Sequence, residues 1–391
     1  MPPAIYAFSF CAFALGLTEF VVIGLLPAMS ADLNAPTAQV GEAVTAYAIG
    51  VAVGAPILTA LTVGWPRRAL LLSLMLLFVV GNLAVALSPT LMPLLGARFA
   101  SGLAHGVFLA VASSIAAGIV GPQRAGGAVA FVFGGLTVAL VLGVPLGTFL
   151  GSVWDWRAVF VFVSLCAAAG LAGIVFTMPK AGTNARSGSG DVRSSLAALA
   201  NVRLLAAASL SVLAYSGTFA SFTYISPLLS EVTGLGVGSV SLLLLGYGAA
   251  ATVGNVVGGR LTDRLGPDAA SAGILATLSA VLFGIWVLAS VPAAMIVLVT
   301  LLGAATFAAV PALQARIMAA AAAEARDVSA VAAGLNIAGF NVGIALGSFA
   351  GARVVTMVGY PATAIVGAVV VALALPIVLR GQRGVRPHAA G

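Results

Sequence analysis

The chain has 391 residues, 61% of them hydrophobic and only 7% charged, with a formal net charge of +7 and a mean hydropathy of +1.17. A water-soluble domain carries about a quarter charged residues because its surface faces water, so the composition excludes that class and predicts an integral membrane protein. The basic balance does not point to nucleic acid, because the positive residues fall along one side of the topology derived below.

A spanning helix needs about 20 mostly apolar residues. Twelve such segments follow one another, at 5–29, 40–62, 69–88, 92–119, 126–152, 157–178, 204–229, 237–258, 269–289, 292–318, 328–352 and 361–379. The first reads as a retained helix, since Met1-Pro2-Pro3 supplies no basic leader. A membrane barrel would show segments of ~10 residues alternating polar and apolar, a pattern absent here. The expected fold class is therefore all-α and integral to the membrane, with twelve transmembrane helices. Cys11 and Cys166 both lie inside apolar runs and read as buried free thiols.

Between the sixth and seventh segments runs "PKAGTNARSGSGDVRSS", Pro179 to Ser195, rich in Gly and Ser and carrying Lys180, Arg186 and Arg193. It reads as a flexible linker. The expected domains are an N-terminal six-helix bundle at 1–178, a cytoplasmic linker at 179–201, and a C-terminal six-helix bundle at 202–391 with a short basic tail. With both termini inside, the inner loops hold Arg67, Arg68, Arg124, Lys180, Arg186, Arg193, Arg203, Arg260, Arg264, Arg316 and Arg326, and the tail adds Arg380, Arg383 and Arg386. Only Arg157 and Arg353 fall outside, and Arg98 lies within a span. This bias fixes a multi-pass topology in a cytoplasmic (inner) membrane with both termini cytoplasmic; lipid is an expected partner.

The halves repeat at a shift of 200 residues. "GVPLGTFLG" at 143–151 meets "GIALGSFAG" at 343–351; Pro27 recurs as Pro227, and Leu61-Thr62 as Leu261-Thr262. Two parallel repeats around a central site form a transporter architecture.

Three motifs carry a family resemblance. "GGRLTDRLG", Gly258 to Gly266, matches an inner-loop signature; "GVPLGTFLG" in span 5 is rich in glycine and proline; "GARFASGLAHG", Gly96 to Gly106, occupies span 4. On these the chain resembles the major facilitator superfamily over essentially its whole length, and within it the drug/proton antiporter branch. "TEF" in span 1 with "AHG" in span 4 further resembles bacterial chloramphenicol-efflux and sugar-efflux exporters. The resemblance implies two pseudo-symmetric six-helix bundles. It makes Gly259, Asp263, Arg264 and Gly266 an inner-loop conformational lock, with a solvated Asp263–Arg264 pair as the alternative. The first-half copy of that loop, "TALTVGWPRR", has Val63 where the signature has Asp. The resemblance makes Gly143, Pro145, Gly147 and Gly151 the antiporter motif. Glycines at this spacing let helix backbones approach closely, and Pro145 removes a backbone donor. A tight, bendable contact at which the bundles rock is expected, with ordinary small-residue packing as the alternative.

Glu19 is the one charge in "FALGLTEFVVIGLLPA", Phe13 to Ala28. A charge at mid-membrane costs ~2.5–3.5 kcal/mol on insertion scales, so this carboxylate is expected to work. Burial favours the neutral acid and a nearby cation the carboxylate; a site balanced between them loads and loses a proton. Glu19 is thus the expected proton-coupling acid, with a structural ion pair to Arg98 as the alternative. Arg98 and His105 lie seven residues apart on one face of span 4. His105 reads as a proton relay or a packing histidine; Arg98 holds Glu19 ionised and anchors its helix. Positions 219 and 305 in the second half are Phe and Ala, which places proton chemistry in the first half.

By resemblance, spans 1, 4, 7 and 10 line the cavity. Span 7 supplies Tyr215, Phe219, Phe222 and Ser226, span 10 Phe307, span 11 Asn336 and Asn341, and span 2 Tyr47. An apolar, aromatic lining with few polar anchors suits a neutral or amphipathic small molecule; lipid-facing or core packing is the alternative for each aromatic. The expected function is proton-coupled efflux of small drug-like or sugar-like molecules by alternating access, through a monomer with no cofactor or metal. The alternatives are a proton-coupled importer, a membrane sensor and an intramembrane enzyme. The enzyme is disfavoured because the sequence has neither a nucleophile elbow nor HExxH, and it lacks the P-loop of a direct ATP user.

Overall fold

In lipid every backbone N–H and C=O must be bonded within the chain, and the apolar segments meet that demand as helices. The computed structural model describes residues 1–62, 65–120, 125–178, 201–322 and 329–384. Val63, Arg124, the linker cations, Arg326 and Arg386 lie outside the described residues.

Among the described residues twelve helices are long and apolar enough to cross a membrane. They are α1 (Pro3–Asp32), α2 (Thr37–Leu58), α3 (Arg67–Ala86), α4 (Leu91–Val120), α5 (Ala125–Val153), α6 (Trp156–Thr177), α7 (Val202–Phe222), α8 (Val237–Leu265), α9 (Pro267–Leu288), α10 (Pro292–Ala322), α11 (Ser329–Met357) and α12 (Tyr360–Leu379). Each expected span is therefore a helix, and most run a few residues past their expected ends. Local chemistry sets several starts. Asp155 caps α6 by accepting from the Arg157 N–H, and Asn201 caps α7 by accepting from the Arg203 and Leu204 N–H groups. Gly266, with φ +80°, turns α8 into α9, which opens on Pro267.

Three spans depart from the expected single helix, α12 least, with a turn at Leu373 between Tyr360–Ala372 and Ala374–Gly384. In α2 the last turn, Gly54–Leu58, is π-helical around Pro56; proline has no N–H for the regular ladder, so the pairing slips by one residue. The expected seventh span, 204–229, breaks after Phe222; a short turn at Ile225–Pro227 and a π turn at Leu228–Val232 follow. Pro227 disrupts this end, whereas α1 continues through Pro27 to Asp32.

The chain divides into two compact units, Met1–Leu196 with Gly236–Leu245, and Ala197–Leu235 with Gly246–Gly391. The start of α8 belongs to the first unit, where the Ser241 hydroxyl donates to the Pro145 carbonyl at 2.8 Å. The repeated glycines do the same work in each unit. A Cβ at Gly147 would lie 2.4 Å from the Val21 carbonyl oxygen, and one at Gly347 would lie 2.3 Å from that of Ser216. The motif glycines thus seat α5 on α1 and α11 on α7, each inside its own unit.

Candidate functional site

The polar centre of the first unit is built where α2 and α4 touch backbone to backbone. A Cβ at Gly102 would lie 2.2 Å from the Tyr47 carbonyl oxygen, and one at Gly50 would lie 2.3 Å from that of Phe99. This closeness inserts the Tyr47 ring between Arg98 and His105, two turns apart on α4. The Arg98 guanidinium carbon stands 4.1 Å from the ring centroid, and the Tyr47 hydroxyl is 2.6 Å from His105 Nδ1. The same hydroxyl reaches the Leu15 carbonyl on α1 at 3.3 Å. Glu19 comes from α1, with Oε2 4.0 Å from His105 Nδ1 and its side chain 16% exposed.

Arg98 is fully buried. Its Nε donates to the Ala43 carbonyl at 3.2 Å, and Nη1 donates to the carbonyl and hydroxyl of Thr18 at 3.0 and 3.2 Å. Thr18 Oγ1 donates in turn to Asn82 on α3, whose Nδ2 is held by the Phe78 carbonyl at 2.8 Å. Arg98 and its partners therefore tie α1, α2, α3 and α4. Among the described residues no ion pair within 4.0 Å joins Arg98 to Glu19; the partner of Glu19 in that range is His105. Arg98 Nη2 is buried with no hydrogen-bond partner among the described residues.

Of the residues read from sequence, Glu19, Arg98, His105 and Tyr47 come together. Tyr47, expected among substrate contacts, is 1% exposed, with its hydroxyl engaged by this group. Asn82 and Thr18 were missed, although an asparagine inside an apolar span was a visible signal.

The second unit has its own aromatic stack. Tyr215 and Phe219 are stacked with centroids 5.7 Å apart, Phe219 meets Phe222 edge-on at 5.6 Å, and Phe222 stacks on Tyr247 at 4.2 Å. Phe340, which sequence reading passed over, packs on Tyr215 at 4.5 Å. Ser226 is buried and Phe307 half-buried. Asn336 is a junction: Ser211 Oγ donates to its Oδ1 at 2.5 Å, and its Nδ2 donates to Gln314 Oε1 at 2.7 Å. Asn341 Nδ2 bonds the Ile337 carbonyl at 3.0 Å, while its Oδ1 is buried without a partner among the described residues. The expected inner-loop residues Asp263 and Arg264 lie in the last turn of α8, exposed, and among the described residues neither is in an ion pair; Arg316 pairs instead with Asp268.

The repeat register needs correction inside the units. Gly147 and Gly347 are 200 apart, but their partners Val21 and Ser216 are 195 apart (216 − 21). The counterpart of Glu19 is therefore Ala214, not Phe219. Gly102 and Gly303 meet the carbonyls of Tyr47 and Tyr247 alike, a shift of 201 (303 − 102), so His105 corresponds to Thr306, not Ala305. Tyr247 and Thr306 thus hold the places of Tyr47 and His105, but among the described residues their buried hydroxyls make no hydrogen bond. The second unit repeats the scaffold of the site with neutral groups only.

The family model described as Major Facilitator Superfamily matches residues 8–267 and again 207–390. The chain belongs to the major facilitator superfamily. Such a chain is a multi-pass membrane transporter of small molecules, not an enzyme. It is 37% identical over 353 residues to a chloramphenicol resistance protein of Streptomyces lividans, covering 89% of this chain and 88% of that one. It is 35% identical over 373 residues to the inner membrane transport protein YdhP of Escherichia coli (strain K12), covering 95% and 94%. A solved bacterial homologue of the human lysosomal transporter Spinster shares the major facilitator fold, with a TM-score of 0.79 at 14% identity over 99% of this chain and 98% of that one.

Proposed function

We infer that this major facilitator exports a small neutral or amphipathic molecule by alternating access, in exchange for protons that load on Glu19. The observation that carries the reading is the placement of Glu19. Its carboxylate lies within a spanning helix, slightly exposed, beside the imidazole of His105 and without an ion pair to Arg98 among the described residues. A carboxylate so placed is free to change protonation, and Arg98, spent on backbone carbonyls, acts as scaffold and as a distant positive charge. Tyr47 links His105 to that scaffold and orients its ring.

The substrate class is read from the second unit. Phe307 is half-buried and offers apolar surface, and Asn341 has an unfilled acceptor among the described residues; Tyr215 and Phe219 line the same region from within the aromatic stack, while Phe222 and Asn336 are fully buried in packing. Likeness to a chloramphenicol resistance protein supports efflux of a compound of that size, and likeness to an inner membrane transport protein supports an inner-membrane location. The positive-inside bias supports a cytoplasmic location for both termini. The working unit is a monomer whose bundles, 1–178 and 202–391, are joined by a linker at 179–201. The antiporter motif at 143–151 and the inner loop at 259–266 govern the exchange between states.

By linkage, proton and substrate each weaken the other's binding. A pH unit supplies about 1.4 kcal/mol and 100 mV about 2.3 kcal/mol per charge. The test uses purified protein in liposomes with an imposed pH gradient and labelled chloramphenicol, sugars and a cationic dye. The expected result is gradient-driven uptake by wild type that Glu19→Gln loses while it still exchanges substrate. Wild-type pumping by Glu19→Gln would remove Glu19 from the proton route.

A further inference from the structure

A groove of about 430 Å³ opens on the second unit between α8, α9 and α10. On α8 its wall runs from Val253 through Val257 and Leu261 to Leu265, positions that share one helical face. The floor is backbone-close: a Cβ at Gly254 would lie 2.1 Å from the Ala304 carbonyl oxygen. At Gly273, on the α9 wall, an added Cβ meets nothing within 4 Å, so the space is open. Among the described residues Thr277 is the one polar side chain lining the groove, and its hydroxyl is already donated to the Gly273 carbonyl at 2.9 Å.

Three features select the occupant. The first is length. Twelve residues of α8 separate Val253 from Leu265, about 18 Å at 1.5 Å per residue, and one leaflet of hydrocarbon is about 15 Å deep, half of the ~30 Å core. The groove thus ends near mid-membrane, whereas a helix from a second copy would need a stripe across the whole core. The second is polarity. A transported molecule needs convergent polar groups to orient it, and the lining offers none. The third is charge at the mouth. Arg264 lies three residues beyond Leu261 and seven beyond Val257, on the groove-lining side of α8, and Arg260 is one turn behind it. Both are exposed, and neither forms an ion pair or hydrogen bond among the described residues.

We propose that this groove binds one acyl chain of an anionic phospholipid, whose phosphate is held by Arg264 with Arg260 in support. The lipid comes from the leaflet that meets the α8–α9 connection, which on the orientation inferred above is the cytoplasmic one. The site adjoins the α8–α9 loop, so its occupancy couples lipid composition to the part of the second unit where α8 turns into α9.

The test is native mass spectrometry of the delipidated full chain titrated with phosphatidylglycerol and, separately, with phosphatidylcholine of the same chain length. The expected result is one tightly retained phosphatidylglycerol, with phosphatidylcholine held about fivefold more weakly, the factor for one basic residue near a headgroup. Arg264→Gln and Gly273→Leu, which remove the anchor and fill the groove, should each lower phosphatidylglycerol affinity about fivefold or more. Arg264→Lys should retain it, and Gly134→Leu, at an equally open glycine on α5, should leave it unchanged. Wild-type retention by both Arg264→Gln and Gly273→Leu would overturn the proposal. So would equal binding of the two lipids, or a dimer that Gly273→Leu converts to monomer with lipid binding intact.

Discussion

Tyr47 stands between Arg98 and His105, with its ring 4.1 Å from the guanidinium carbon and its hydroxyl 2.6 Å from His105 Nδ1. One residue of α2 thus joins the scaffold cation to the imidazole that neighbours Glu19. The cation–π contact and the hydrogen bond use different parts of the side chain, so they can be separated by mutation.

Tyr47→Phe keeps the ring under Arg98 and removes the hydroxyl. The loss leaves His105 Nδ1 and the Leu15 carbonyl without that partner in a buried setting, at a cost of about 1–3 kcal/mol. The expected outcome is a lower unfolding temperature in detergent and a displaced pH profile of uptake, because Glu19 now faces an imidazole of altered tautomer and orientation. An unchanged pH profile with lowered stability would show that Tyr47 is scaffold alone.

Arg98→Lys is expected to fail despite conserving charge. The guanidinium reaches Ala43 and Thr18 at once through Nε and Nη1, a fork that a single ammonium cannot reproduce. Leaving one of these buried acceptors unsatisfied costs about 1–3 kcal/mol. Expression and unfolding temperature should drop for Arg98→Lys and further for Arg98→Ala. A stable Arg98→Lys that has lost transport would assign the residue to coupling and not to architecture.

The helical spans, and Glu19, Arg98 and His105 as the residues to look for inside them, were legible because ionisable groups in lipid are costly and stand out against apolar neighbours. Tyr47 was not, since an aromatic in an apolar helix gives no sign of whether its ring or its hydroxyl is used. The repeat was legible in α5 and α11, where glycine spacing leaves a sequence trace. It misled in α1 and α7, because Pro27 and Pro227 suggest a register of 200 while the glycine contacts set 195. Prolines mark turns of a helix and glycines mark its contacts, and only contacts fix which side chains correspond. The ties from Arg98 to Ala43 and Thr18 were hidden for a related reason: backbone acceptors have no residue-type signature.

The repeated glycines predict a paired result. Gly147→Ala and Gly347→Ala place a methyl group against the carbonyls of Val21 and Ser216, where relief requires a backbone shift costing about 1–3 kcal/mol. Both should lower the unfolding temperature by similar amounts. Gly134→Ala, where an added Cβ meets nothing within 4 Å, should be neutral or stabilising by up to about 1 kcal/mol. If Gly147→Ala is as stable as wild type but no longer transports, the glycine serves a moving contact in place of the static seat of α5 on α1.

Asn336 separates packing from binding in the second unit. Its amide accepts from Ser211 and donates to Gln314, joining α7, α10 and α11, and it is fully buried. Asn336→Leu strands both partners and should cost about 1–3 kcal/mol, read as a fall in unfolding temperature with little change in apparent substrate affinity for the folded fraction. Adding Ser211→Ala to that variant removes one stranded hydroxyl and should recover part of the loss, a non-additivity that a substrate contact would not produce. A tenfold fall in apparent affinity at unchanged stability would instead return Asn336 to the substrate path that its position in α11 first suggested.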